Sequence, residues 1–386
     1  MNQRRGAERL PQSVRTPLRV LHIHSSLTVR SGVMGVLMNY FRHIDRSRVV
    51  FDFYTYYHPS DTTYQDEIED LGGRCLEGPD SKNILTIRRH LARVLKEHGG
   101  EYSVVHIHDP MLARFLYPVI HRNGAATVIV HSHSTGYSGS RIRAFRNWLA
   151  CRNIRRYSDA RMACSYEAGV HLFGSLSFTI MRNAIEVERF EFNSDVRNAI
   201  RGEFGLDDRC VIGHVGRFSE EKNHALLLSV FKEFLRHEPS SRLLLVGDGP
   251  LKEHYEAVAR EQDLADRVMF LGHSGRVSEL YQAMDVFVLP SRFEGLGLAG
   301  VEAQCAGVPV VCSDRVPGEI ETLNCSFVPL ASPPDAWVRR IESVRLRTDR
   351  GRELGVEATR RRGYDVAEAV GEMVRRYEAL SQIGRR

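Results

Sequence analysis

Short apolar runs alternate with amphipathic segments along most of the chain, and each run has the length of a buried strand. Examples are Val104-Val-His-Ile-His108, Val128-Ile-Val-His-Ser-His133 and Val286-Phe-Val-Leu289. A run without polar alternation indicates a strand that is covered on both faces, as in a parallel sheet flanked by helices. The regular change from strand-like to helix-like segments therefore predicts an α/β protein with two parallel-sheet domains.

A glycine turn follows the last of these runs, with a glutamate on either side. Gly295 and Gly297 allow a tight turn into a helix that begins near Leu298. Strand, glycine loop and helix present free N–H groups to an anion, which favours a phosphate. Glu294 and Glu302 have only acceptor oxygens, so they are predicted to bind sugar hydroxyls. Taken alone, such a pair is more often a loop glutamate and a solvated helix glutamate.

Two cations precede another amphipathic segment. Arg217 and Lys222 follow the apolar run Val211-Ile-Gly-His-Val215, and the apolar residues of 226–234 recur at helical spacing. Cations at a helix N-terminus are unfavourable unless an anion lies between them, and a diphosphate would supply that charge. A surface lysine without a ligand is the alternative of equal weight.

Five motifs occur in order over residues 215–304. They are Val215-Gly-Arg-Phe-Ser-Glu-Glu-Lys-Asn-His224, Leu245-Val-Gly-Asp-Gly-Pro250, Val268-Met-Phe-Leu-Gly272, Met284-Asp-Val-Phe-Val-Leu-Pro-Ser291, and Phe293-Glu-Gly through Val301-Glu-Ala-Gln304. In this order they resemble the C-terminal half of the retaining glycosyltransferases of family 4, which have the GT-B fold. The resemblance is greatest to the bacterial branch that builds exopolysaccharide and capsule. It is weaker in the first half, where Arg30-Ser-Gly-Val-Met-Gly35 keeps Gly32 at a position where relatives usually have paired glycines.

The resemblance implies two Rossmann-like, doubly wound domains that face a cleft. Residues 1–16 are polar and basic and are expected to form a flexible tail. An acceptor-side domain is expected over 17–190 and a nucleotide-sugar-binding domain over 200–363. Residues 364–386 would form a C-terminal helix that packs back on the first domain.

The same resemblance implies transfer of a sugar, with retention, from a UDP- or GDP-sugar to a glycan or polyprenyl-linked saccharide. The reaction would need no cofactor and no metal, because fixed cations hold the leaving group. The residues expected to act on the reacting sugar are Glu294, His131, Arg217 and Lys222. Those expected to bind the donor are Gly32, Arg217, Lys222, Arg276, Val277, Gly295, Leu296, Gly297, Leu298 and Glu302.

Three His-x-His pairs occur at residues 22/24, 106/108 and 131/133. Alternate residues of a strand point to the same side, so each pair could chelate a metal ion. A zinc site needs a third ligand, however, and nothing in the sequence forces the pairs together. No metal site is therefore predicted, and backbone groups are expected to satisfy the first two pairs. The family resemblance puts His131, or failing that His133, beside the donor sugar.

Residues 141–156 contain six arginines and no acidic residue, although the net charge of the chain is only +5. Ile142, Phe145, Trp148 and Leu149 form an apolar stripe at helical spacing. A basic amphipathic helix is typical of a membrane-surface element, and this one would contact the anionic inner face of the plasma membrane. A solvated helix face is the alternative. Nucleic acid is not an expected partner, since no binding motif for it is present.

Composition is that of an ordinary soluble protein, with 42% hydrophobic and 26% charged residues. The seven cysteines form no Cys-x-x-Cys pair, which predicts reduced thiols and a cytoplasmic protein. Two other functions are considered for the same fold. One is a sugar-nucleotide epimerase, and the other is a non-catalytic scaffold of a polysaccharide assembly complex, supported only by the altered loop at Ser31-Gly-Val-Met34.

Overall fold

The computed structural model describes residues 16–60, 62–124, 127–137, 140–346 and 348–382. Within these residues the strands form two sheets, one in each half of the chain, and every pair of neighbouring strands is parallel. The predicted α/β fold of two doubly wound domains is confirmed. The predicted tail lies outside the described residues except for residue 16.

The first sheet has seven strands in the order β3-β2-β1-β4-β5-β6-β7. In chain order these are β1 Leu18–Ile23, β2 Val49–Thr55, β3 Cys75–Glu77, β4 Tyr102–Ile107, β5 Thr127–Ser132, β6 Ala160–Ala163 and β7 Thr179–Ile180. The helices of this half are α1 Gly32–His43, α2 Gln65–Asp70, α3 Ile84–His98, α4 Pro110–Asn123, α5 Arg141–Cys151 and α6 Tyr166–Phe173.

The second sheet has six strands in the order β10-β9-β8-β11-β12-β13. These are β8 Val211–Val215, β9 Arg242–Val246, β10 Val268–Gly272, β11 Val286–Leu289, β12 Val310–Ser313 and β13 Cys325–Val328. The helices here are α7 Ser194–Glu203, α8 His224–Phe234, α9 Lys252–Glu261, α10 Val277–Ala283, α11 Leu298–Cys305, α12 Pro334–Val344 and α13 Gly355–Arg361.

Helices cover both faces of each sheet, which explains the unbroken apolar runs. All residues of β2 and of β11 are buried, so no position along these strands is left for an exposed polar side chain. Burial of one Val, Leu or Phe side chain contributes about 1.5–3 kcal/mol, so these strands supply much of the stabilisation of each core. Among the described residues, no helix is both long enough and apolar enough to span a bilayer.

Each sheet contains one point where the strand order reverses direction. It lies between β1 and β4 in the first sheet and between β8 and β11 in the second. At such a point the loops after the two strands separate and leave a crevice outside the carboxyl ends, where ligands bind in open α/β sheets. A ligand is therefore expected at the loops that follow these four strands.

The chain crosses between the halves in two segments that run side by side. The amide of Ile185 donates to the carbonyl of Tyr364 (2.8 Å), and the amide of Val366 donates to the carbonyl of Ile185 (3.0 Å). Helix α14, Val366–Ser381, then packs on α1 and on the first sheet, where the hydroxyl of Tyr377 lies 2.8 Å from Nδ1 of His106. The C-terminal helix thus returns to the first domain.

Candidate active site

The loops after β8 and β11 are joined because the two strands are neighbours in the sheet. The amide of Arg292 donates to the carbonyl of Glu221 (2.8 Å), and the side-chain amide of Asn223 donates to the carbonyl of Pro290 (3.1 Å). Asn223 has a left-handed backbone (φ 58°) and directly precedes α8. This turn places Lys222 at the beginning of α8, as the sequence predicted.

Lys222 and Glu294 form an ion pair in which Nζ lies 2.6 Å from Oε1. Ser291 Oγ donates to the same carboxylate oxygen, also at 2.6 Å. Among the described residues no side chain donates to Oε2 of Glu294, so this oxygen is available to a ligand. The ammonium has three N–H donors, which leaves two for an anion. The sequence predicted both residues but not the bond between them.

The glycine turn that follows leads into α11 at Leu298, as predicted. Gly297 has φ +88°, a conformation that favours glycine. Gly295 is needed for a different reason, because a Cβ there would lie 2.0 Å from the carbonyl oxygen of His133 in the other half. Leu296 is buried between them. The N–H groups of the first turn of α11 have no acceptor within the helix and can face an anion.

The same loop is bonded to the first half of the protein. The carbonyl of Glu294 accepts hydrogen bonds from the amide (3.2 Å) and the hydroxyl (2.7 Å) of Thr135. The carbonyl of Gly295 accepts one from Ser165 Oγ (2.6 Å). Sequence reasoning missed Thr135, Ser165 and Ser291, and only Ser291 had a signal, its place in the motif after β11.

Glu302 lies on α11 and has a different partner from Glu294. Tyr281 Oη, from α10, donates to Oε2 of Glu302 at 2.9 Å. Burial raises the pKa of Glu302 to about 7, although the hydrogen bond from Tyr281 favours the charged form. Near neutral pH this carboxyl group is therefore poised between its neutral and its ionised form.

Arg217 and Arg276 occupy different surroundings. Arg217 lies two residues after the end of β8 and is exposed at the carboxyl edge of the sheet. Arg276 precedes Val277, the first residue of α10, and its guanidinium pairs with Glu203 and Glu279, each at 2.9 Å. These hydrogen bonds raise the pKa of Arg276 above its ordinary value. To contact a nucleotide base, the guanidinium of Arg276 must release Glu203 and Glu279. The assignment of Arg276 to base binding therefore stays a prediction.

A cavity of about 360 Å³ lies between the halves, at the two reversal points. Gly32 begins α1, and its neighbour Val33 lines the cavity. Residues from both halves take part in the lining. They include His24, His108, Asp109 and His133 from the first half, and Glu221 and Phe293 from the second.

The three His-x-His pairs meet at the carboxyl edge of the first sheet. The expectation that nothing forces the pairs together is wrong. The three pairs lie at the ends of β1, β4 and β5, which are side by side in the sheet. Five of the six rings bond one another instead of the backbone, whereas His24 lies 3.1 Å from Ser31 Oγ and 3.5 Å from a carboxylate oxygen of Asp109. His22 Nδ1 lies 2.9 Å from His108 Nε2, and His108 Nδ1 lies 2.9 Å from His133 Nε2.

The six histidines of the three pairs are called the histidine array from here on. Its other hydrogen bonds involve the deeply buried rings of His106 and His131. His106 Nε2 lies 3.1 Å from His131 Nδ1, while His106 Nδ1 contacts Tyr377. Burial lowers the pKa values of His106, His131 and His133 well below 6.5, so these rings are neutral at pH 7. His131 is fully buried, whereas His133, two residues on and beyond the end of β5, lines the cavity. His133 is therefore the residue of this pair that reaches the cleft.

Comparison with known proteins places this geometry in a family. Residues 196–359 match the family model described as glycosyl transferases group 1. Over 376 residues the chain is 34% identical to the putative glycosyltransferase EpsF of Bacillus subtilis (strain 168). The matched region covers 94% of this chain and 97% of EpsF. The chain is 26% identical over 255 residues to the UDP-Gal:alpha-D-GlcNAc-diphosphoundecaprenol alpha-1,3-galactosyltransferase of Escherichia coli, covering 61% of this chain and 62% of that protein.

Solved structures agree on the fold. Anabaena Alr3699/HepE in complex with UDP and glucose has a TM-score of 0.75 at 16% identity and covers 94% of this chain and 100% of that chain. The sucrose-phosphate synthase of Thermosynechococcus elongatus has a TM-score of 0.70 at 20% identity, with 96% and 98% coverage. These likenesses confirm the predicted GT-B arrangement. The family model and the 34% identity to EpsF over nearly the whole chain show that the chain belongs to the group 1 glycosyltransferases.

Proposed function

We propose that this glycosyltransferase moves a sugar, with retention, from a UDP- or GDP-sugar to a glycan or polyprenyl-linked saccharide of a bacterial exopolysaccharide, capsule or other surface polysaccharide. The observation that carries the proposal is the Lys222–Glu294 pair (2.6 Å) beside the N-terminus of α11. The ammonium of Lys222 can donate to a phosphate, and the carboxylate of Glu294 beside it can accept from a sugar hydroxyl. The names of relatives support the substrate classes, since one uses UDP-galactose and another GDP-mannose.

The leaving diphosphate would be held by three features of the second half. These are the two remaining N–H donors of Lys222, the exposed guanidinium of Arg217 and the first-turn N–H groups of α11. Negative charge grows on the diphosphate as the sugar leaves, and donors fixed in advance stabilise it most in that state. These fixed charges perform the task that a divalent ion performs elsewhere, so we propose that transfer is independent of Mg²⁺.

In the proposed reaction the bond between the anomeric carbon and the phosphate oxygen breaks, and the nucleotide leaves with the bonding electrons. The acceptor hydroxyl forms the new bond from the same face of the sugar, and its proton passes to a phosphate oxygen of the donor. Oε2 of Glu294 would accept a hydrogen bond from the sugar, and His133 would contact it from the opposite wall. Glu302 would accept hydrogen bonds from the ribose.

The acceptor has a route into the cleft from the side of α5. A second cavity, of about 380 Å³, lies beside this helix and shares Tyr137, Cys151, His171 and Leu172 with the cleft cavity. Arg152 and Arg155 line its outer part. Guanidinium groups pair well with phosphate oxygens, so these two residues fit an acceptor whose saccharide is carried on a lipid diphosphate.

Helix α5 presents the apolar surface that such a lipid acceptor requires. Exposed fractions are 84% for Ile142, 64% for Phe145, 43% for Trp148 and 44% for Leu149. Four of the ten large exposed hydrophobic residues of the described chain thus lie on one helix of eleven residues. Apolar side chains among arginines suit a surface of anionic lipid. We propose that α5 docks the protein on the cytoplasmic face of the plasma membrane.

Replacing either fixed cation should slow transfer. Lys222→Ala and Arg217→Ala are each expected to lower kcat by about 10²–10³-fold, the usual effect of removing one group that stabilises transition-state charge. The measurement is release of the nucleotide from the donor by the purified variants. Lys232→Ala removes an exposed lysine of α8 and should leave the rate unchanged. Wild-type rates in both cleft variants would refute the assignment of the diphosphate site.

Nucleotide binding should depend on pH through Glu302. Its pKa of about 7 means that the carboxylate, the form that accepts hydrogen bonds from both ribose hydroxyls, becomes dominant as the pH rises through neutrality. From about pH 6 to about pH 8 the affinity measured by calorimetry should increase up to about tenfold, following the ionised fraction. Glu302→Gln should remove the dependence, and Glu261→Gln, at an exposed position of α9, should keep it. A pH profile unchanged in Glu302→Gln would contradict this role.

Membrane docking should depend on the charge of the segment after α5. The triple variant Arg152→Glu, Arg155→Glu, Arg156→Glu should bind anionic liposomes about a hundredfold more weakly, since each basic residue near the surface contributes about 1 kcal/mol. Sedimentation with phosphatidylserine vesicles measures this. The triple variant Arg236→Glu, Arg339→Glu, Arg340→Glu makes the same change in charge on α12 and just after α8, and should sediment like the wild type. Equal sedimentation of both variants would exclude docking through α5.

A further inference from the structure

The histidine array of the first half contains more imidazole side chains than contact with a sugar requires. Two overlapping groups of three have one ring nitrogen from each residue within 4.8 Å of the others. They are His22, His106 and His108, and His108, His131 and His133. The proposed reaction uses only His133. The array therefore needs a separate explanation.

Among the described residues, Nε2 of His22 and Nε2 of His131 are buried without a hydrogen-bond partner, and Nδ1 of His24 has only an oxygen of Asp109 at 3.5 Å. Nε2 of His131 is the one considered because His131 shares its group of three with His108 and His133, which line the cavity. His131 is fully buried, and Nε2 makes no hydrogen bond among the described residues, while Nδ1 lies 3.1 Å from His106. Nε2 is therefore either an N–H group without an acceptor or a lone pair without a donor. Buried polar atoms in native proteins nearly always have a partner, which points to a ligand that the protein atoms do not supply. A bare imidazole lone pair is also the form that binds a metal ion.

The spacing of the outer rings fits a single ion. His108 Nδ1 and His133 Nε2 are 2.9 Å apart. Two nitrogens on one tetrahedral zinc ion, each at 2.0–2.1 Å, are roughly 3.3 Å from each other. An ion can therefore lie between them after the nitrogens separate by a few tenths of an ångström and both rings rotate to direct their lone pairs at it.

Proton positions allow an ion to bind without release of a proton, so the site would gain the charge of the ion. All three rings are neutral, because burial disfavours their charged forms. When Nδ1 of His108 binds an ion, its proton moves to Nε2, which already lies 2.9 Å from His22 Nδ1. His22 then accepts a hydrogen bond at Nδ1, with its own proton moved to Nε2, and fixes the ring of His108. Outer partners of this kind orient the ligands of most metal sites.

We propose that His108, His131 and His133 bind one transition-metal ion of the Zn²⁺ class. Imidazole nitrogens suit Zn²⁺, Ni²⁺ and Cu²⁺, whereas Mg²⁺ and Ca²⁺ prefer oxygen ligands. His108 and His133 line the cleft cavity, which gives the ion a path of entry and leaves its fourth position facing that cavity. Three protein ligands with one open position is the arrangement of zinc sites that bind small ligands. This site shares His133 with the proposed sugar contact but contains neither Lys222 nor Arg217, and metal binding is measured without the transfer reaction.

The test is calorimetric titration of the full chain, without a histidine tag and stripped of metal by a chelator. Zn²⁺ is expected to bind with a stoichiometry of one, Co²⁺ to give the intense visible absorption of a tetrahedral complex, and Mg²⁺ to give no heat. Absence of stoichiometric Zn²⁺ binding would overturn the proposal. So would a Co²⁺ spectrum typical of six oxygen ligands.

Variants assign the ligands. His133→Gln, at the half-buried position beside the cavity, should weaken Zn²⁺ binding by more than about tenfold, because even an outer partner of a metal ligand is worth about 10–100-fold. His254→Gln, at an exposed position of α9, should bind as tightly as the wild type. Circular dichroism and Tm establish that both variants are folded. Binding that survives His133→Gln but is lost in His22→Gln would place the ion in the deeper triad and contradict this assignment.

Discussion

Every feature of the cleft depends on one constraint, that parallel strands deliver their loops to the same edge of a sheet. In both halves the strand order reverses near the middle of the sheet, so two loops diverge at that edge and leave a crevice. The reversal between β8 and β11 brings Lys222 to Glu294 although they are 72 residues apart. The reversal between β1 and β4 places His22 against His108 in the same way, 86 residues apart.

The two walls of the cleft differ in charge. The second half contributes an ammonium, a guanidinium, two carboxyl groups and a helix N-terminus. The first half contributes the Asp109 carboxylate and neutral imidazoles, which burial prevents from becoming charged at pH 7. A donor whose diphosphate lies on the second half is therefore not attracted to the opposite wall. In the proposed complex, charge would hold the nucleotide on the second half and leave the first half free to contact sugar and acceptor.

Bonds between the walls hold the glycine loop in place. Thr135 and Ser165 donate to the two carbonyls of Glu294 and Gly295, and the close approach of Gly295 to His133 excludes any side chain. The position of the Glu294 carboxylate is thus set by both halves together. A relative movement of the halves would change this position, and with it the geometry of the proposed donor site.

The sequence was most informative about strands and the loops that follow them. The run Val286–Leu289 predicted a doubly covered strand, and Gly297 and Leu298 predicted where the next helix begins; both predictions are confirmed. Hydroxyl contacts such as that of Thr135 could not be predicted, because an isolated threonine carries no signal for a partner 159 residues away. The meeting of the histidine pairs also required strand order, which local patterns do not contain.

A thermal-shift experiment tests whether the fixed cations on the second-half side of the cleft bind a nucleotide. UDP, GDP, ADP and their common sugar conjugates would be compared with and without Mg²⁺. A ligand at one hundred times its Kd stabilises the folded protein by about 2.7 kcal/mol, which is readily seen as a higher Tm. We expect a Mg²⁺-independent shift with UDP or GDP that is lost in Lys222→Ala and kept in Lys232→Ala. No shift with any nucleotide, or a shift that requires Mg²⁺, would contradict this expectation.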